Sequence, residues 1–421
     1  MTKLRIRGGR PLVGHVPVSG AKNAALPILA ASLLAGDGES RLLSVPWLND
    51  VVVMLDLLQT LGVEIETDGA NTVYLRAGNL SGCEAPYELV NRMRASVLIM
   101  GPLLARLGRA RISLPGGCAI GSRPIDLHLK GFTALGADVT VGHGFVEAEA
   151  PQLRGAHIYL DYPSVGATEN IMMAASLATG TTIIENAAAE PEITNLGMYL
   201  NNMGVDIRGC GTDRIEIRGM EHLKGATQTI IPDRIEAATY LMAAIMTQGQ
   251  VTIGPIDSCY LHSAIAKLRE AGADIETGED QLIVRPAGPL RSIDVQTLPY
   301  PGFPTDLQPQ LMALLTQAHG ASLITETVFE NRFLHVPELC RMGAEIKVIE
   351  RRALVRGPAR LTGTTVAATD LRAGAALILA GLVAEGETYV TETYHINRGY
   401  VKIVDKLQAL GADVEQVPEA D

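Results

Sequence analysis

No two of the chain's five cysteines, Cys83, Cys118, Cys210, Cys259 and Cys340, form a Cys-x-x-Cys pair. An odd, scattered set excludes a disulfide framework and a zinc site and is the usage of a reducing compartment, so a cytoplasmic protein is expected. A basic excess is missing too. Lys and Arg number 35 against 46 Asp and Glu, a net charge of −11, which argues against nucleic acid as a partner. Any anionic substrate must therefore be met by locally clustered arginines. Long apolar runs are absent. The stretch from Ala24 to Ala35, with basic residues up to Lys22 before it, has the look of a signal peptide. Similar segments recur inside the chain, each too short and too interrupted for a membrane span. A buried core helix is the expectation here, with no membrane partner.

What is present is an ordered globular composition, 47% hydrophobic and 19% charged over 421 residues, enough for two or three domains. One pattern recurs six times: an apolar helical run, a glycine, an alanine or valine, an acid and an isoleucine or valine. Its glycines are Gly62, Gly136, Gly204, Gly272, Gly343 and Gly411, spaced about 70 residues apart. Each fits the left-handed position that ends a helix. An alternating strand follows, then a turn and a second strand, as in Val205-Asp206-Ile207-Arg208 and Arg214-Ile215-Glu216-Ile217-Arg218. Upstream lie helices that are apolar nearly all round, over Ala95–Leu107, Ile171–Ala178, Ala237–Met246, Leu311–Ala318 and Ala373–Ala384. The fifth unit departs from the pattern, with Glu350-Arg351-Arg352 where the others turn on glycine or aspartate.

The sixth unit ends after a single strand, Ala412–Glu415. Its missing partner reads as Leu4-Arg5-Ile6-Arg7-Gly8, which matches Arg214–Gly219. The natural division is three units each, residues 22–230 in one lobe and residues 1–21 plus 231–421 in the other.

The stretch Leu114-Pro115-Gly116-Gly117-Cys118-Ala119-Ile120-Gly121-Ser122-Arg123-Pro124 sets a thiol among glycines with an arginine five residues on. Its glycines match neither G-x-G-x-x-G nor G-x-x-x-x-G-K. Backbone N–H groups of such a loop can cradle an anion and Arg123 can grip phosphate or carboxylate. A tight turn around a small buried cysteine accounts for the same residues. His128, ten residues after Cys118, raises a Cys–His nucleophile, but no third orienting group is evident.

With Ser19-Gly20-Ala21-Lys22-Asn23-Ala24 at the first crossover, the six-unit chain resembles the enolpyruvyl transferase superfamily. Further motifs carry the resemblance nearly end to end: Met93-Arg94-Ala95-Ser96, Asp233-Arg234-Ile235-Glu236, Pro304-Thr305-Asp306, Glu330–His335, Thr369-Asp370-Leu371-Arg372 and Tyr394–Tyr400. The cysteine loop is similar to the branch acting on UDP-N-acetylglucosamine; the shikimate branch, the alternative, is not expected to carry it. The resemblance implies an α/β fold, a two-lobed inside-out α/β barrel with helices inside and sheets outside. It also implies transfer of the enolpyruvyl group of phosphoenolpyruvate to the sugar 3′-hydroxyl by addition and elimination of phosphate, for peptidoglycan synthesis. No metal and no cofactor are implied. A silent relative that binds the nucleotide sugar without turnover is the competing reading.

The resemblance also implies the roles of single residues. Lys22, Arg123 and Arg398 take the phosphate of phosphoenolpyruvate, while Arg332 and Arg372 face the carboxylate and the adduct. Cys118 gives the proton to C3 and is the expected target of a phosphonate epoxide that mimics phosphoenolpyruvate. Asp306 is the base near the sugar hydroxyl, which Asn23 orients; an N-cap before Leu307–Leu315 is the other reading of Asp306. The nucleotide sugar falls to Asn23, Arg94, Arg123, Pro124, Ile125, Asp126, Leu127, Ser164, Val165, Gly166, Asp306 and Val328. Tyr162-Pro163 replaces a lysine and a small apolar residue found in many relatives. Asp370 either steadies the Arg372 loop or caps a helix.

Overall fold

The structure, a computed structural model, describes residues 2–113 and 125–418. The Cys118 loop, with Arg123 and Pro124, lies outside the described residues. Among those described, strands form six sheets, five of four strands and one of three, a mixed α/β architecture. In one, His157–Tyr159 runs parallel to Thr181–Glu185, which pairs antiparallel with Arg214–Arg218, and that in turn with Asp206–Arg208. The other four-stranded sheets repeat this order of one parallel and two antiparallel ladders. The three-stranded sheet joins Arg109–Ser113, Phe145–Glu149 and Asp138–Val141, with an isolated parallel bridge from Glu84 to Arg111 beside it. Alternation sets the buried faces: Ile215 and Ile217 are buried while Arg214, Glu216 and Arg218 are exposed.

The chain divides into two compact units, one from the N-terminus to Ser19 plus Pro232 onward, the other within Gly20–Ile231. In the first, helix Arg234–Met246 and helix Gln308–Leu315 are buried at every residue. Helix Leu371–Val383 is buried from Arg372 to Leu382, and the three pack on one another. This is the core that apolar, all-round helices require. Around it, strand Thr2–Arg7 lies between Glu387–Thr391 and Asp413–Pro418, antiparallel to both, with Thr2 opposite Pro418. In the second unit, Lys22–Ala31, Met100–Leu107 and Val165–Ala175 supply the buried helices. The apolar run after Lys22 ends in a short 3₁₀ turn, Ser32–Leu34, buried throughout.

The helix-ending glycines Gly62, Gly136, Gly204, Gly272, Gly343 and Gly411 all sit at positive φ, between +91° and +114°. The expected helices differ at their ends from their sequence ranges. Ala95–Leu107 is a 3₁₀ segment, Arg94–Ile99, followed by an α-helix from Met100. Pro102 has no N–H to bond Leu98, and Asn170 takes the backbone of Val97 and Gly101 instead. The helix expected at Leu311–Ala318 begins earlier, at Gln308, and stops at Leu315. The Glu350 turn places a non-glycine residue at φ +53°.

Candidate active site

Three cores of chemistry emerge from these elements. In the first unit, Pro304 leads into a 3₁₀ turn, Thr305–Leu307, that puts Asp306 at the head of the buried helix Gln308–Leu315. No side-chain cap forms at this helix start, so the N-cap reading of Asp306 does not hold. The carboxylate turns to two arginines instead. Arg332 Nη2 donates to Oδ1 at 2.8 Å, and Arg372 Nη2 to Oδ2 at 3.1 Å. Both guanidinium groups are buried, at 3% and 4% exposure. Burial, the largest single influence, would lower the basicity of Arg372, but Asp306, Tyr400 and Asp233 together outweigh it and the pKa rises.

Arg372 is held at its other edge by Tyr400, whose hydroxyl receives Nη1 at 3.3 Å and Gln310 Nε2 at 3.1 Å. Thr239 lies 3.0 Å from the same hydroxyl. Asp370 resolves into a helix cap: its carboxylate accepts from the N–H groups of Arg372 and Ala373 at 2.8 and 3.1 Å. It thereby also fixes the start of the arginine's helix. Arg332 is different. Its Nε and Nη1 are buried and bond to nothing among the described residues. An orphaned cationic edge of this kind costs about 1–3 kcal/mol or more unless an anion meets it. Beside it His335 is fully buried, and burial keeps its ring neutral well below the usual range, with Asp370 opposing and Arg332 reinforcing.

The second core gathers around Lys22, the first residue of its helix, which is 9% exposed and pairs with Asp50 at 3.1 Å. Asn23 follows it, exposed. In the third, helix Asp126–Ala134 packs on helix Val165–Ala175, with Ile125, Asp126 and Leu127 at the start of one and Ser164, Val165 and Gly166 at the start of the other. Ser164 caps the helix Val165–Ala175 by accepting from Ala167 N at 3.4 Å. Gly166 lies against the imidazole of His128, where a Cβ would come within 3.3 Å of Cε1. His128 itself accepts at Nδ1 from Asn170 Nδ2 at 3.0 Å and is pushed down to about 4 by burial, Asp126 opposing. Such a buried, neutral ring held by an amide serves packing between these segments. Arg94 opens the 3₁₀ turn Arg94–Ile99, and Val328 and Arg398 lie on loops of the first unit, Arg398 ending the turn Ile396–Arg398.

The sequence model of EPSP synthase (3-phosphoshikimate 1-carboxyvinyltransferase) matches residues 6–407. A UDP-N-acetylglucosamine 1-carboxyvinyltransferase 2 of Carboxydothermus hydrogenoformans is 58% identical over 421 residues, the full length of both chains. The chain belongs to the EPSP synthase family. Another member, UDP-N-acetylglucosamine 1-carboxyvinyltransferase 1 of Caldanaerobacter subterraneus, is 56% identical over 98% of this chain and 99% of its own. Among solved structures, the enolpyruvyl transferase NikO from Streptomyces tendae superposes with a TM-score of 0.90 at 29% identity, covering 99% of this chain and 98% of its own. An EPSP synthase from Acinetobacter baumannii shares the fold at 18% identity and a TM-score of 0.77.

Within the family fold, Asp306, Arg332 and Arg372 converge as one cluster. Two partners escaped the reading of the sequence. Asp50 carries no motif, being one acid at the start of the amphipathic helix Asn49–Thr60. Tyr400 lay inside a quoted motif, but its burial at 2%, which makes it a partner, shows only in the fold. Among the described residues no cluster of side chains is suited to a metal ion, and no helix is long and apolar enough to cross a membrane.

Proposed function

We infer that this chain is a transferase that moves the enolpyruvyl group of phosphoenolpyruvate onto the 3′-hydroxyl of UDP-N-acetylglucosamine, releasing phosphate, in peptidoglycan synthesis. The full-length likeness to curated UDP-N-acetylglucosamine 1-carboxyvinyltransferases supports it. The observation that carries the chemistry is the Asp306 carboxylate clasped between two buried guanidinium groups, one of which keeps an unpaired edge. Asp306 takes the proton of the attacking hydroxyl, oriented by its two arginines rather than made strongly basic. The free edge of Arg332 and the guanidinium of Arg372 face the substrate carboxylate as C2 becomes tetrahedral. Lys22, Arg123 and Arg398 take the phosphate, and Cys118 protonates C3. Loss of the C3 proton and of phosphate then yields the enol ether. Ile125–Leu127 and Ser164–Gly166 line the nucleotide, with Arg94 on the same side; Asn23 orients the sugar hydroxyl, and Val328 is a further contact of the nucleotide sugar. The reading extends to a two-lobed inside-out barrel of six repeated units, three per lobe, working in the cytoplasm.

Phosphate release tests this directly. Turnover is expected with UDP-N-acetylglucosamine and phosphoenolpyruvate and not with shikimate 3-phosphate; the reverse pattern would move the chain to the shikimate branch. Binding of the nucleotide sugar without turnover would mark the silent alternative. Alkylation of Cys118 by a phosphonate epoxide, lost in Cys118→Asp while turnover persists, checks the proton donor.

A further inference from the structure

Glu326 follows strand Gly320–Thr325 and is 1% exposed. No motif carried it, and none of the ion pairs among the described residues includes it. Its two oxygens nevertheless receive four donors. Oε1 accepts from Thr297 Oγ1 at 2.8 Å, from Val328 N at 2.8 Å and from Phe329 N at 3.1 Å. Oε2 accepts from Thr305 Oγ1 at 2.9 Å. The hydroxyl of Thr297 accepts in turn from Thr327 N at 2.9 Å. These donors come from three separate loops: the one after strand Val295–Gln296, the turn Thr305–Leu307, and the segment leading to Arg332.

A buried carboxylate held only by neutral donors is expensive to desolvate, and is tolerated when its lone pairs are filled. What it gives in return here is placement. Thr305 adjoins Asp306, and Phe329 lies three residues before Arg332. The two ends that Glu326 joins are therefore the two ends of the Asp306–Arg332 ion pair. We propose that Glu326 is a positioning residue for the transfer reaction, fixing Asp306 and the Val328–Arg332 segment relative to each other from outside the ion pair. The inference rests on the reading of Asp306 as the base. A plain staple would use any of the four bonds alike. A positioning role makes the Thr305 bond count in turnover although it joins nothing that binds substrate.

Thr305→Val removes that one bond and leaves the carboxylate's other three. It is expected to lower kcat about 5–20-fold with both KM values within about twofold of wild type, because orientation is lost and binding is not. Glu326→Ala is expected to lose about 10–100-fold in kcat. Glu326→Gln, which can accept the same backbone donors and donate to Thr305, should recover most of that loss. The double variant should be no slower than Glu326→Ala, since both act through one path. Wild-type kcat in Thr305→Val, or losses that multiply in the double variant, would overturn the proposal. Hydrogen exchange on the ligand-free protein judges it without turnover. Peptides covering Val328–Arg332 should exchange faster in Glu326→Ala, and the Arg332 Nε resonance should move in Thr305→Val. An unmoved resonance in a folded variant would sink the clamp. Absent phosphate release by wild type would instead sink the assigned reaction, leaving these two measurements to decide on Glu326.

Discussion

Asn170 settles the protonation of a neighbour. Its Oδ1 accepts from Gly101 N at 2.7 Å, so its Nδ2 must be the donor to Val97 O and to His128 Nδ1. Nδ1 of His128 then keeps its lone pair, and protonating it would break the bond inside a buried site. Its folded pKa, near 4, lies below the ordinary 6.5 chiefly through burial. Between those values the unfolded chain binds a proton that the fold refuses, so stability drops as pH falls from 6.5 towards 4. The expected loss by pH 5 is on the order of 1–2 kcal/mol. Glu169, a buried carboxyl pushed up by desolvation and by Glu192 and Glu190, works in the opposite direction. The comparison must therefore be with a variant. Urea unfolding of wild type and His128→Gln at pH 7.5 and pH 5 should give a stability gap that shifts in the variant's favour at the lower pH. A gap that stays constant would mean His128 titrates normally. At this scale the sequence was legible where charge recurs in motifs, as with Arg332 and Arg372. It was opaque where a role depends on burial alone, as with Tyr400, Asp50 and Glu326.

At the scale of elements, periodicity told more than boundaries. All-round apolar runs announced buried helices, and the recurring helix-ending glycine was readable because only a residue without Cβ adopts that φ freely. The break at Ile99–Met100 was only half readable: Pro102 announces it, but the bond that replaces the helix at Gly101 comes from a side chain 69 residues away. At that junction two helices also come close. A Cβ on Gly101 would stand 2.4 Å from Asn170 O, which is backbone, whereas one on Gly131 would meet the movable side chain of Ile171 at 2.3 Å. In an open helix, alanine for glycine stabilises by about 0.5–1 kcal/mol. Gly101→Ala should instead destabilise by about 1–3 kcal/mol, and by more than Gly131→Ala. Chemical denaturation of both variants checks the order; a stabilised Gly101→Ala would show that the helices can slide apart without cost.

For the whole molecule, the chain is threaded rather than segmented, because strand Thr2–Arg7 sits in the middle of a sheet otherwise built after residue 364. Leu4 and Ile6, both buried, place about 1.5–3 kcal/mol each of apolar burial there. The match between Leu4–Gly8 and Arg214–Gly219 made this pairing legible, whereas the register was not, being set by both neighbours together. Deleting residues 2–7 should expose Glu387–Thr391 and Asp413–Pro418 to rapid hydrogen exchange while leaving peptides within Gly20–Ile231 protected. Retained protection in the two flanking strands would mean that they close on each other without it. The same threading orders events on the ribosome. Strand Thr2–Arg7 is made long before both its partners, which are translated some 400 residues later, tens of seconds at roughly 5–20 residues per second. Through that interval it waits as an unpaired, half-apolar edge, while everything from Gly20 to Ile231 is already available to fold. A nascent chain of this topology thus depends on holding this strand out of the wrong sheet until its two partners arrive.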